Sequence, residues 1–197
     1  MDFSEKWNFL LFLWPGGGYN GGETRKKVWE MELLPLTAEF DAAMARIVRE
    51  NLKAHALDIP GTAYFDESLD HLSRYYDAPG RGYWVLWDGG VAGGAGLAET
   101  EVLPQFAEMQ KLYLADEAKG RGLGRRLAEH VEAMAREMGY RGLYLETHTN
   151  LTAALALYEK LGYRQIERPG SVVHGTMNRF FVKEWQGCTH KITPGGR

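Results

Sequence analysis

The stretch Lys111-Leu112-Tyr113-Leu114-Ala115-Asp116-Glu117-Ala118-Lys119-Gly120-Arg121-Gly122-Leu123-Gly124-Arg125-Arg126 constrains this chain more than any other. An apolar strand pattern runs into a glycine-rich turn, which opens directly into a helix. The helix carries Leu123, Leu127, Val131, Met134 and Met138 on one stripe, and Gly139 stands where a helix usually stops. A strand feeding such a helix points to an α/β domain. The first N–H groups of a helix have no internal acceptor and lie at its positive end, so the turn is suited to an anion. Glycines at 120, 122 and 124 let a phosphate approach without meeting a Cβ. Lys119, Arg121, Arg125 and Arg126 place four cations within eight residues, which suits a ligand with several phosphates. A dinucleotide fingerprint beginning at Gly122 would need Gly or Ala where Leu127 stands, and no Gly-Lys-Ser or Gly-Lys-Thr follows. The plain alternative is a solvated basic turn.

The patterning on either side supplies the rest of the domain. Val28 to Leu34 alternates as a first strand, and Thr37 is placed to cap a helix carrying Phe40, Met44, Ile47 and Val48. Asp58-Ile59-Pro60-Gly61 breaks that helix, and a short one is expected over Asp66 to Tyr76. Asp88-Gly89-Gly90 between apolar runs predicts a hairpin of Tyr83–Trp87 with Val91–Thr100. Further strands are expected over Ala107–Leu114, Gly142–Thr147, Tyr163–Glu167 and Thr176–Val182, with a helix over Leu151–Leu161. One domain over 28–184 accounts for all of these. Residues 1–27 read as an extension outside the core and 185–197 as a tail.

Composition narrows the function. With 45% hydrophobic and 25% charged residues and a net charge of −3, the chain is an ordinary globular protein rather than a basic nucleic-acid binder. The single cysteine, Cys188, permits no internal disulfide and fits a cytoplasmic protein. The six histidines never fall three or four residues apart, so no helical metal pair exists and no metal is expected. The apolar run Trp7 to Trp14 falls far short of the ~20 residues that span a bilayer, and its flanks are not those of a secretory signal, so no membrane is expected. That run, with the edges of the late strands, is compatible with a homodimer.

A second segment, Leu143-Tyr144-Leu145-Glu146-Thr147-His148-Thr149-Asn150-Leu151, leads into a helix containing Tyr158-Glu159-Lys160-Leu161-Gly162-Tyr163. Asn150 falls where an N-cap or a loop amide would be, and Tyr158 lies two turns into the helix; a simple cap and a core aromatic are the alternatives. Over roughly Met31 to Lys183 the chain resembles the GNAT superfamily of acyl-CoA-dependent N-acetyltransferases. Lys119-Gly120-Arg121-Gly122-Leu123-Gly124 corresponds to the family's acetyl-CoA motif, Arg/Gln-x-x-Gly-x-Gly/Ala, with Lys119 in the first place. Asn150, Ala153, Ala154 and Leu157, with the run Tyr158 to Tyr163, correspond to its second signature.

The resemblance implies a mixed α/β (α+β) fold: a twisted, mostly antiparallel sheet of about seven strands flanked by helices, with the fourth and fifth strands splayed. By this resemblance acetyl-CoA is the co-substrate. Its pantetheine arm would lie along Leu112, Tyr113 and Leu114, with its pyrophosphate on the turn of Lys119, Gly120, Arg121, Gly122, Leu123, Gly124 and Arg125. Asn150 would hold the pantetheine amide, and Tyr158 would face the sulfur and protonate the thiolate. Glu108 resembles the strand glutamate that some members use as base, with Glu99, Glu146 and His174 as rivals. Strict alternation would put Glu108 on one face with Gln110, Leu112 and Leu114. The acceptor would be a primary amine, held between residues 57–65 and 171–179. A small-molecule amine is the first expectation, a protein lysine or N-terminal amine the second, and a non-catalytic acyl-CoA sensor the third.

Overall fold

The computed structural model describes residues 31–170, 172 and 175–185. The apolar run at Trp7–Trp14, the start of the expected first strand, His174 and Cys188 lie outside the described residues. In chain order the elements are β1 (Glu32–Pro35), α1 (Ala38–Ala54), α2 (Leu72–Tyr76), β2 (Gly82–Trp87), β3 (Val91–Glu99), β4 (Phe106–Leu114), α3 (Leu123–Glu137), β5 (Gly142–Thr147), α4 (Thr152–Lys160), β6 (Arg164–Ile166) and β7 (Arg179–Glu184). Three short 3₁₀ turns, Ala63–Phe65, Glu67–His71 and Asp116–Ala118, complete the set. The short helix expected over 66–76 is therefore a 3₁₀ turn followed by a single α-turn. The last strand begins at Arg179 rather than Thr176, because Asn178 turns its side chain to the β5–α4 loop and accepts from the Thr149 N–H at 3.0 Å.

The strands form one sheet in the order β1-β2-β3-β4-β5-β7-β6. Every neighbouring pair is antiparallel except β4–β5, which is parallel. On one face α3 buries Leu123, Leu127, Val131 and Met134 against Leu97, Met109, Leu143 and Leu145. On the other, α1 buries Phe40, Met44, Ile47, Val48 and Leu52 against Tyr83, Val85 and Ala98. The apolar stripes read from the sequence are thus the buried ones, each large side chain contributing about 1.5–3 kcal/mol. Asp41 is buried on α1 and accepts from the N–H and hydroxyl of Ser73 at 2.8 and 2.6 Å, which anchors the start of α2. No helix among the described residues is long and apolar enough to cross a membrane.

A β-bulge in β4 alters the expected alternation. The β3–β4 register passes from Gly96↔Gln110 to Gly94↔Tyr113, so two steps on β3 span three on β4. The extra residue is Lys111, held at φ 50. The bulge is supported from β2: the Tyr83 ring lies across Gly94 and Gly96, where any Cβ would collide with it. The Tyr83 hydroxyl then donates to the Lys111 carbonyl at 2.8 Å. Because of this insertion, Ala107 and Met109 share a face with Leu112 and Leu114, towards α3. Glu108, opposite Ala98, shares the α1 face with Gln110 and Tyr113. The expectation that Glu108 lies on the same side as Leu112 and Leu114 is corrected here: one added residue inverts the parity.

Candidate active site

The parallel ladder between β4 and β5 is short. It pairs Phe106↔Gly142, Ala107↔Leu143 and Glu108↔Tyr144, and then stops. β4 continues to Leu114 and β5 to Thr147 with no ladder between them, so the sheet splays from Glu108 onwards. The backbone of Leu112 and Leu114 lies along this open interval.

The glycine turn stands at the mouth of the gap. Gly122 caps α3 in the left-handed conformation, φ 79, and no side chain caps the helix. The first backbone bond of the helix is Arg126 N–H to Gly122 O at 3.2 Å, which leaves the N–H groups of Leu123, Gly124 and Arg125 without helical acceptors. A Cβ on Gly124 would stand 3.5 Å from Leu157, 3.7 Å from Leu114 and 3.9 Å from Leu112. The start of α3, the end of β4 and α4 therefore meet at one junction. Of the cations, Lys119 pairs with Asp116 at 2.6 Å and Arg125 with Glu129 at 3.2 Å, both on the surface. Such exposed pairs are weak enough for a polyphosphate to replace them. Arg126 is half-buried, and burial lowers its pKa.

The last turn of α1 bridges the open end. Asn51 is buried and donates from Nδ2 to Ile47 O at 2.8 Å and to Leu114 O at 2.9 Å. Four residues on, His55 O accepts from Asn150 Nδ2 at 2.8 Å, while His55 Nδ1 lies 2.8 Å from Asn51 O. Asn150 is thus a loop amide rather than a cap; Leu151 holds the cap position of α4. One of its two amide hydrogens is engaged by His55, which leaves Oδ1 and the second N–H to face a ligand.

Tyr158 is buried on α4, its ring 5.7 Å from that of Tyr163 and 6.0 Å from that of Phe181. Burial pushes the phenol well above its ordinary range, so it stays protonated. Tyr113, from β4, is also pushed up by burial and, to a smaller degree, by Tyr158 and Asp66. Glu108 accepts from Gln110 Nε2 at 2.9 Å and stands in register with Tyr144, whose hydroxyl donates to Glu146 at 3.0 Å. Glu99, the first rival base, is committed to Arg81, which holds its carboxyl below the usual range. Two residues at this site escape a one-dimensional reading: Asn51 and Tyr76, the latter donating to Gln110 Oε1 at 2.9 Å. Asn51 does leave a trace, as an amide set into the apolar stripe of α1.

The expected acceptor walls do meet, since Thr176 Oγ1 donates to Pro60 O at 2.9 Å. Phe65 is 58% exposed there, its ring 5.0 Å from that of Tyr64. Arg179 donates to the carbonyl of its neighbour Asn178 at 2.8 Å.

Residues 45–163 match the model of the acetyltransferase (GNAT) family. The chain belongs to the GNAT family. It is accordingly an acyltransferase. Among its GNAT relatives is an uncharacterized N-acetyltransferase, YjgM, of Escherichia coli strain K12. That protein is 38% identical over 135 residues, 67% of this chain and 81% of its own length. A GNAT acetyltransferase of Staphylococcus aureus Mu50 superposes with a TM-score of 0.70 at 18% identity, over 78% of this chain and 98% of that one. PaiA N-acetyltransferase of Thermoplasma acidophilum, solved in complex with coenzyme A, gives a TM-score of 0.63 at 17% identity, over 79% and 99%. The fold, with its seven-stranded, mostly antiparallel sheet, is that of GNAT proteins.

Proposed function

We propose that the protein transfers the acetyl group of acetyl-CoA directly to a primary amine of a small molecule. The observation that carries this reading is the end of the β4–β5 ladder at Glu108, in a gap that leads to the uncapped N–H groups of α3. These residues fit acetyl-CoA. Leu123, Gly124 and Arg125 offer N–H donors to the pyrophosphate, with Lys119, Gly120, Arg121 and Gly122 forming the turn beneath it. Leu112, Tyr113 and Leu114 offer strand backbone to the pantetheine arm, and Asn150 offers Oδ1 to one of its amide N–H groups. PaiA, which shares the fold, was solved in complex with coenzyme A, which supports a coenzyme A ligand here.

An alkyl amine with a pKa of about 10.4 must first lose a proton, at a cost of roughly 4–5 kcal/mol at neutral pH. Glu108 takes that proton. The amine nitrogen then forms its bond to the thioester carbonyl as the carbon–sulfur bond breaks. The Leu114 N–H stabilises the oxygen as charge builds on it. Asn51 occupies the carbonyl of the same residue, so that oxygen is held by α1. Tyr158, kept protonated by burial, gives its proton to the departing thiolate, and the second proton, shed by the nitrogen as the amide forms, returns through water to the phenolate.

A panel of small amines with acetyl-CoA, followed by thiol release, tests the reading. Turnover of small amines at rates well above hydrolysis is the expected result. Turnover confined to peptides would move the activity to protein amines. Tight acetyl-CoA binding with no turnover of any amine would make the chain a sensor.

A further inference from the structure

A hydrogen-bonded chain runs from α2 to the carboxylate of Glu108. Tyr76 ends α2, whose start is fixed by Asp41 on α1 through the N–H and hydroxyl of Ser73. Its ring is buried between Tyr75 and Tyr83, with centroids 4.8 and 5.0 Å away. Its hydroxyl donates to Gln110 Oε1 at 2.9 Å, and Gln110 Nε2 donates to Glu108 Oε2 at 2.9 Å.

The polarity of this chain is set at both ends. An ionised carboxylate only accepts, so Gln110 must turn its NH₂ to Glu108 and its carbonyl to Tyr76. Burial, and to a smaller extent the charges of Tyr83, Tyr75, Glu108 and Asp66, push the Tyr76 phenol well up, so it remains a donor. The bulge at Lys111 is what allows the arrangement, since it leaves Glu108 and Gln110 on the α1–α2 face of β4.

We propose that Tyr76 is a positioning residue for Glu108. Acting through Gln110, it holds an N–H on the carboxylate and so keeps that carboxylate oriented and its proton affinity low. This rests on the reading of Glu108 as the base. A hydrogen bond donated to the charged form lowers a carboxyl's proton affinity, so its loss raises the pKa. Groups near this chain include Tyr144 and Glu146 on β5, Arg168 acting on Tyr144 from beyond β6, Tyr83 on β2, and the Lys111–Asp66 pair at 3.0 Å. Tyr76→Phe keeps the ring against Tyr83 and removes only the hydroxyl bonded to Gln110.

The test is Tyr76→Phe in the full chain, which keeps the ring. Its folding is checked by circular dichroism, with Tyr75→Phe as a control that shares the packing and not the bond. The Glu108 carboxyl, followed by carbon-13 NMR, should titrate roughly 0.5–1 unit higher in Tyr76→Phe. The acidic limb of kcat/KM should move up with it, kcat at neutral pH should fall several-fold, and the KM for acetyl-CoA should hold. Gln110→Met should give the same shift, and the double variant should add nothing to it. An unmoved Glu108 titration in Tyr76→Phe, or additive effects in the double variant, would overturn the proposal. The base reading is tested separately. If Glu108→Gln retains the acidic limb, Glu108 is not the base, and the proposal fails as a statement about catalysis even where the NMR shift appears.

Discussion

Tyr158 has one hydroxyl and a choice of two roles, packing or proton donation. Its ring lies against Tyr163 and Phe181, and phenylalanine would keep both contacts. Tyr158→Phe should therefore fold and bind acetyl-CoA as the parent does, while single-turnover transfer slows by roughly ten- to a thousand-fold. An unchanged transfer rate would remove the hydroxyl from the chemistry. Loss of folding would make its role structural. Tyr158 and Asn150 stand out in the sequence because their segment resembles a family signature. Asn51 and Tyr76 do not, because what defines them is a partner far along the chain: Asn51 meets Leu114, and Tyr76 meets Gln110. A hydrogen bond across such a separation names no partner in the sequence; Asn51 shows only as an amide within an apolar stripe.

Among the elements, the glycine turn and α3 follow their local chemistry most closely. Gly124→Val should leave the fold intact, since its Cβ meets only ordinary contacts with Leu157, Leu114 and Leu112. Its two methyl groups would fill space at that junction, and calorimetry should show acetyl-CoA affinity down at least a hundredfold. Tight binding by the folded variant would place the phosphates elsewhere. The same helix carries His130, packed edge-on to Trp84 at 4.9 Å. Burial, helped by the Arg126 charge, lowers its pKa to about 4. The folded state then binds the imidazole's proton less readily than the unfolded state, so stability falls as pH drops from about 6.5 through about 4, by up to about 3 kcal/mol. Urea unfolding of His130→Phe and the parent across that window should show a smaller loss for the variant. β4 is the element that hid most. Lys111 is no usual turn residue, and nothing local announces a left-handed lysine, so counting alternate residues from Glu108 arrives on the wrong face.

At the scale of the molecule, the element order, the hairpin at Asp88-Gly89-Gly90 and the two apolar helix stripes were open to inspection in the sequence. Local signals suffice for each. The splay was accessible only through the family resemblance, since whether a ladder continues depends on strands brought together by the whole fold. If acetyl-CoA occupies the splay, it binds the folded state alone, and the midpoint of thermal unfolding should climb with ligand concentration, by about 2.7 kcal/mol of added stability at a hundred times Kd. A midpoint indifferent to acetyl-CoA would count against a site in the sheet. The short β4–β5 ladder also has a mechanical meaning. It joins two half-sheets, β1–β4 and β5–β7, at one end only, so the Glu108–Tyr144 pair is the last rung they share. At the far end, the Asn51 and His55 bonds to Leu114 and Asn150 act as a clasp between the tips. The two tips are thus tied to one another from outside the sheet, through the end of α1 and the residue that follows it.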